Sequence, residues 1–126
     1  MKITIVGPAY PYRGGIANFD EMRARTFMRR GDEVDIRTFT VQYPRLLFPG
    51  KTQFSESPPP QDLKITREVN TTNPLNWLAV GRRIKKARPD MVIMKYWTPF
   101  MGPCFGRIAR LARSNGHTKV IVQVDN

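Results

Sequence analysis

The chain has 126 residues, 40% hydrophobic and 25% charged, a balance that suits one globular domain and excludes wholesale disorder, a collagen-like repeat or a membrane bundle. With 21 Lys and Arg against 10 Asp and Glu, the formal charge is +11. A single cysteine, Cys104, excludes an internal disulfide, and with a single histidine, His117, no Cys/His cluster has zinc spacing, so no metal is expected; no tightly bound cofactor is expected either.

Lys2 to Gly7 is a short β-branched run closed by Gly-Pro, which predicts a buried parallel strand. It is too short for the core of a signal peptide, and no apolar run in the chain approaches the ~20 residues of a membrane span. A cytoplasmic protein is expected, at most peripheral at the inner face of a membrane. From Ile16 to about Arg30 a helix is predicted, with Ile16, Phe19 and Phe27 on its apolar face, Arg23 interrupting that face, and Gly31 as its left-handed cap. Glu33 to Phe39 alternates, Val34 and Ile36 against Asp35 and Arg37, and reads as a half-buried strand near an edge. Thr40 to Gln61 carries Pro44, Pro49, Gly50 and the triplet Pro58-Pro59-Pro60, which argues against a helix or central strand there. Leu63 to Val69 is the third strand. Asn73-Pro74 is a helix start, and that helix, burying Trp77, Leu78 and Ile84, runs to about Arg88. Met91 to Met94 is a central fourth strand, a third helix covers about Met101 to Ser114, and Lys119 to Val124 is the fifth strand. Cys104, in the first turn of that helix, reads as a packing residue more readily than as a reactive thiol.

The order β-α-β-β-α-β-α-β predicts a single α/β domain over 1–126: an open, mostly parallel sheet in strand order 3-2-1-4-5 with helices on both faces. In such sheets the ligand crevice lies beyond the carboxyl ends of the strands where the order reverses, here between strands 1 and 4. Two loops open there. The first, after strand 1, ends in Arg13-Gly14-Gly15 at a helix N-terminus, where glycines admit close approach and unpaired NH groups favour phosphate. It matches neither the dinucleotide G-x-G-x-x-G fingerprint nor the Walker pattern, and its glycines also serve simply to turn the chain. The second carries Lys95, Tyr96, Trp97 and Thr98, a cation and two aromatics suited to phosphate and to a sugar ring or base, or equally to packing on neighbouring helices. Asp125 and Asn126, at the end of strand 5, point to the same edge.

Charge is uneven along the chain. Residues 1–63 hold 9 basic and 7 acidic side chains, whereas residues 64–126 hold 12 and 3. No zinc-finger, RRM-like or helix-turn-helix pattern accompanies this excess, so nucleic acid is not the expected partner; the excess suits an anionic membrane or a phosphate-rich small molecule, or is simply a solvated helix face. Within the long loop, Arg45, Leu46, Leu47 and Phe48 form an apolar knob beside cations, an interfacial composition for an acceptor or membrane contact, or else a cap on the core.

Lys2-Ile3-Thr4-Ile5-Val6-Gly7, then Arg13-Gly14-Gly15-Ile16-Ala17, Arg30-Gly31-Asp32-Glu33-Val34 and Arg88-Pro89-Asp90 before an apolar strand, resemble in order and spacing the N-terminal half-domain of family 4 (group 1) glycosyltransferases of GT-B fold. The resemblance spans the whole chain. It implies a Rossmann-like domain, and retaining transfer of a sugar from a nucleotide-diphospho-sugar to a glycan or lipid-linked acceptor held mainly by this domain. The glycine loop, Gly14 and Gly15, would lie against the donor diphosphate and the acceptor. The donor-holding residues would belong to a C-terminal domain that this chain does not include, so the chain alone is expected to be inactive. Many members place a His at the end of strand 4, where this chain has Lys95-Tyr96-Trp97-Thr98, so no catalytic residue is assigned. The alternatives are a non-catalytic membrane-associating subunit and a stand-alone nucleotide- or phosphate-binding module. A sheet whose fifth strand lacks a following helix also leaves an edge through which copies would associate.

Overall fold

Short β-branched runs alternate with stretches of helical period, and each period becomes the element it favours. The computed structural model describes residues 1–10, 15–41, 60–96 and 99–124. In chain order these form β1 (Lys2–Val6), α1 (Gly15–Arg29), β2 (Glu33–Val41), β3 (Lys64–Asn70), α2 (Pro74–Ala87), β4 (Met91–Tyr96), a 3₁₀ turn (Pro99–Met101), α3 (Gly102–Arg113) and β5 (Lys119–Val124). One five-stranded sheet, parallel throughout, has the order β3-β2-β1-β4-β5.

Strand alternation sends successive side chains to opposite faces, and each face gathers its own core. Ile3, Ile5, Ile36 and Ile93 pack with Ala24 and Phe27 of α1. Val6, Phe39, Val69, Val92 and Met94 pack with Val80 and Ile84 of α2 and with Cys104, Phe105, Ile108 and Ala112 of α3. One helix therefore covers the first face and two cover the second. Because every crossover joins parallel strands, α2 and α3 run in the same direction, side by side. They touch closely at Gly81, where an added Cβ would lie 2.8 Å from Cβ of Leu111. Their C-terminal ends are tied by Asn115 Nδ2 donating to the Lys85 carbonyl at 3.1 Å.

The helix ends follow local chemistry. Asn73 caps α2 by accepting the Leu75 N–H at 3.0 Å, and Pro74 stands where a proline has no hydrogen bond to lose. Arg88 closes the same helix in the left-handed region (φ 51°), and Gly31 and Gly116 turn the chain after α1 and α3 with φ of 91° and 73°.

Four expectations need correction. β4 continues past Met94, because Lys95 and Tyr96 extend the ladder against Gln123 and Val124 of β5. The buried stripe of α1 is Ala17, Asp20 and Ala24, small residues that let the helix approach the sheet, whereas Phe19 is exposed at its border. The polar side of β2 is not solvated: Asp35 and Arg37 turn under α2 and are held in a chain of ion pairs with Glu68 and Arg83. Trp77 and Leu78 are half-buried rather than buried, and only Ile84 of the expected three is enclosed. No helix among the described residues is long and apolar enough to cross a membrane.

Candidate functional site

The reversal of strand order falls between β1 and β4, as anticipated, and the carboxyl ends of these strands bring a small set of groups together. Gly7 leaves β1 with its N–H donating to the Arg37 carbonyl at 3.2 Å. The chain then bends back over the sheet and the first helix: Ala9 N–H donates to Thr38 Oγ1 at 3.1 Å, and Tyr10 N–H donates to Glu21 Oε2 at 3.0 Å. Helix α1 begins at Gly15, so its first backbone N–H groups open at this edge. The Gly15 of the expected phosphate loop is thus the first residue of a helix, the position from which amides and the helix dipole act on an anion.

Lys95 rises from β4 onto the face covered by α1 and is only 2% exposed. Its Nζ lies 4.4 Å from the centroid of the Phe19 ring, a cation–π contact made in a desolvated setting. Asp20, fully buried on α1, meets it at Gly7: an added Cβ there would stand 2.7 Å from Asp20 Oδ2 and 3.1 Å from Lys95 Cβ. A glycine is required at this point because a carboxylate and a lysine stem already occupy the volume a side chain would need. The Asp20 carboxyl and the Lys95 side chain are thus enclosed together beneath the carboxyl ends of β1 and β4. Further along the same face Arg23 donates to Gln123 of β5, linking α1 to the strand beyond β4.

Tyr96 turns the other way. It sits against the Phe105 ring of α3 (centroids 6.4 Å, planes 59° apart), and its hydroxyl faces the start of α3 at Gly102. Period-2 alternation separates it from Lys95, so one strand sends its cation to the α1 face and its aromatic to the α3 core. Arg13, Gly14, Arg45, Leu46, Leu47, Phe48, Trp97, Thr98 and Asp125 lie outside the described residues.

Asp20 escaped the sequence reading, although the signal was present: it shares with Ala17 and Ala24 the i, i+3, i+7 stripe that α1 presents to the sheet. The thiol of Cys104 is buried in the α3 core and pushed up to about 12 by desolvation, which leaves it a packing group. Among the described residues no three His, Cys, Asp or Glu side chains gather as a metal would require. In comparisons with known proteins, no family model and no curated sequence matches the chain.

Proposed function

We propose that this domain is the acceptor-side, Rossmann-like part of a retaining glycosyltransferase that uses a nucleotide-diphospho-sugar, with a second domain supplying the donor-holding residues. The observation that carries the reading is the convergence of Gly7, the N-terminal amides of α1 and the buried Lys95 at the one edge where strand order reverses. Breaking a glycosidic bond to a nucleoside diphosphate builds negative charge on the leaving diphosphate, and amides at a helix N-terminus with a cation in the floor beneath them stabilise such charge without reorganising. The motif order that resembles family 4 enzymes supports the same assignment. Lys95, being enclosed, acts through its field and by fixing Phe19 and the β1 turn, while the glycine loop makes the direct approach. The acceptor, a glycan or a lipid-linked sugar, would occupy the same crevice.

The test is amide NMR of the chain titrated separately with UDP-glucose, GDP-mannose and inorganic pyrophosphate. Shifts are expected at Gly7, Gly15 to Ala17 and Lys95, with affinity reduced roughly tenfold or more by Lys95→Met or Gly15→Val. Shifts absent from this edge, or unaltered in both variants, overturn the assignment. Equal binding of pyrophosphate and of the sugar nucleotides instead supports the second reading, a stand-alone phosphate-binding module.

A further inference from the structure

The helices α2 and α3 contain no Asp or Glu at all. Besides Arg83, their exposed cations are Arg82, Lys85 and Lys86 on α2 and Arg107, Arg110 and Arg113 on α3. Arg83 is set apart from this group, because its guanidinium is drawn to the Glu68 carboxylate at 3.2 Å. Since the two helices lie parallel and touch at Gly81 and Leu111, the six side chains form two adjacent rows on one surface rather than separate patches. Arg107, Arg110 and Arg113 follow one another at i, i+3 and i+6, a like-charge spacing that weakens a helix. Helix C-termini do favour cations, which accounts for Lys85, Lys86, Arg110 and Arg113 in the last turns, but not for Arg82 or Arg107. Nor does the whole chain share the pattern: α1, on the opposite face of the sheet, mixes Asp20 and Glu21 with its arginines.

We infer that the outer surface of the α2–α3 layer docks on a bilayer rich in anionic lipid. Two features select this occupant over a nucleic acid. First, Leu75, 75% exposed, lies on the outward stripe of α2 with Arg82 and Lys86 (i, i+7, i+11), so an apolar side chain stands in line with cations whose long stems reach the headgroup level. Second, the face offers nothing that reads bases. The aromatics of these helices turn inward, Trp77 donating its Nε1–H to the Asn70 carbonyl at 2.8 Å and Phe105 lying in the core, and neither helix projects to enter a groove. The broad surface of two flush helices matches a plane of phosphates, each cation adding to the attraction. The crevice opens at the carboxyl edge of the strands, so docking on this face leaves it unobstructed. This inference does not depend on the glycosyl-transfer reading.

The test is co-sedimentation of the whole chain with vesicles of phosphatidylcholine alone and with roughly one-third phosphatidylglycerol, alongside binding to a mixed-sequence duplex DNA. Three charge-reversed pairs, each changing net charge equally, locate the face: Arg82→Glu with Lys86→Glu, Arg110→Glu with Arg113→Glu, and Arg29→Glu with Arg30→Glu at the C-terminal end of α1, with circular dichroism checking that each folds. Binding only to the anionic vesicles, reduced at least about tenfold by either the α2 or the α3 pair, reversed by high salt and kept by the α1 pair, is expected. No vesicle binding, equal losses in all three pairs, or duplex DNA bound more tightly than the vesicles through the same two pairs overturns the inference.

Discussion

Arg37 of β2 and Glu68 of β3 form an ion pair on the sheet face beneath α2, with only 14% and 12% of their side chains exposed. Glu68 also receives Arg83 at 3.2 Å, and Arg37 approaches Asp35 at 3.4 Å. Asp35 in turn accepts the Thr4 hydroxyl at 2.7 Å, so the chain of contacts crosses β3, β2 and β1. Removing one member leaves its partner charged and enclosed. Arg37→Met is therefore expected to destabilise the fold by about 3 kcal/mol, and Arg37→Met with Glu68→Met by less than the sum of the single changes, in urea unfolding. A fully additive double variant would show that the pair is not coupled.

Glycine substitutions separate crowded from open backbone. Gly7→Ala places a methyl group against Asp20 Oδ2 and Lys95 Cβ and should cost about 1–3 kcal/mol. Gly106→Ala, inside α3 with nothing within 4 Å of the new Cβ, should gain up to about 1 kcal/mol through helix propensity. The sign of the two shifts in the urea midpoint decides the matter; a stabilising Gly7→Ala is incompatible with the packing at the crevice floor.

Burial makes Cys104 chemically silent. With its thiol pushed up to about 12, iodoacetamide at pH 8 is expected to leave the native chain unmodified and to label it completely in denaturant. Labelling at the rate of a small-molecule thiol under native conditions would contradict the enclosed position.

Asp90 links three segments at the amino edge of the sheet. It accepts the Lys2 N–H at 2.7 Å and meets His117 Nε2 at 2.9 Å, and these contacts, the backbone bond foremost, hold its carboxyl below the ordinary value of 3.8. A carboxyl depressed in the folded state stabilises above its unfolded pKa, and that contribution disappears as pH falls through the folded one. The difference in Tm between the native chain and Asp90→Ala should therefore be widest near pH 6 and narrow steadily towards pH 3. A gap that stays constant over this range would assign the effect of the substitution to something other than the ionised carboxylate.

The strand order was legible because runs such as Ile3 to Val6 and Met91 to Met94 are apolar and short, and because Gly31, Asn73-Pro74 and Asn115-Gly116 punctuate the helices. Helix faces were harder to read. Phe19 looked like core by hydrophobicity, yet α1 presents Ala17, Asp20 and Ala24 to the sheet, because close approach favours small side chains over large ones. Asp35 and Arg37 looked solvated since single-sequence alternation cannot show that Glu68, a neighbour only through strand pairing, supplies a partner. Lys95 was placed in a loop for a related reason: a lysine ends an apolar run in sequence, but in space the β5 ladder carries the strand on. The crevice position followed from topology alone, while its buried Asp20 required knowing which side of α1 faces inward.

The middle of the sheet joins distant parts of the chain. Ile3 pairs with Val34 on one side and with Met91 on the other. During synthesis β1 emerges before both of its partners, and it cannot complete its ladder until Met91 has left the ribosome, so it must wait with one apolar flank unpaired. The contacts that define the crevice are thus among the slowest to close, and a chaperone that shields β1 would act on a segment exposed to mispairing.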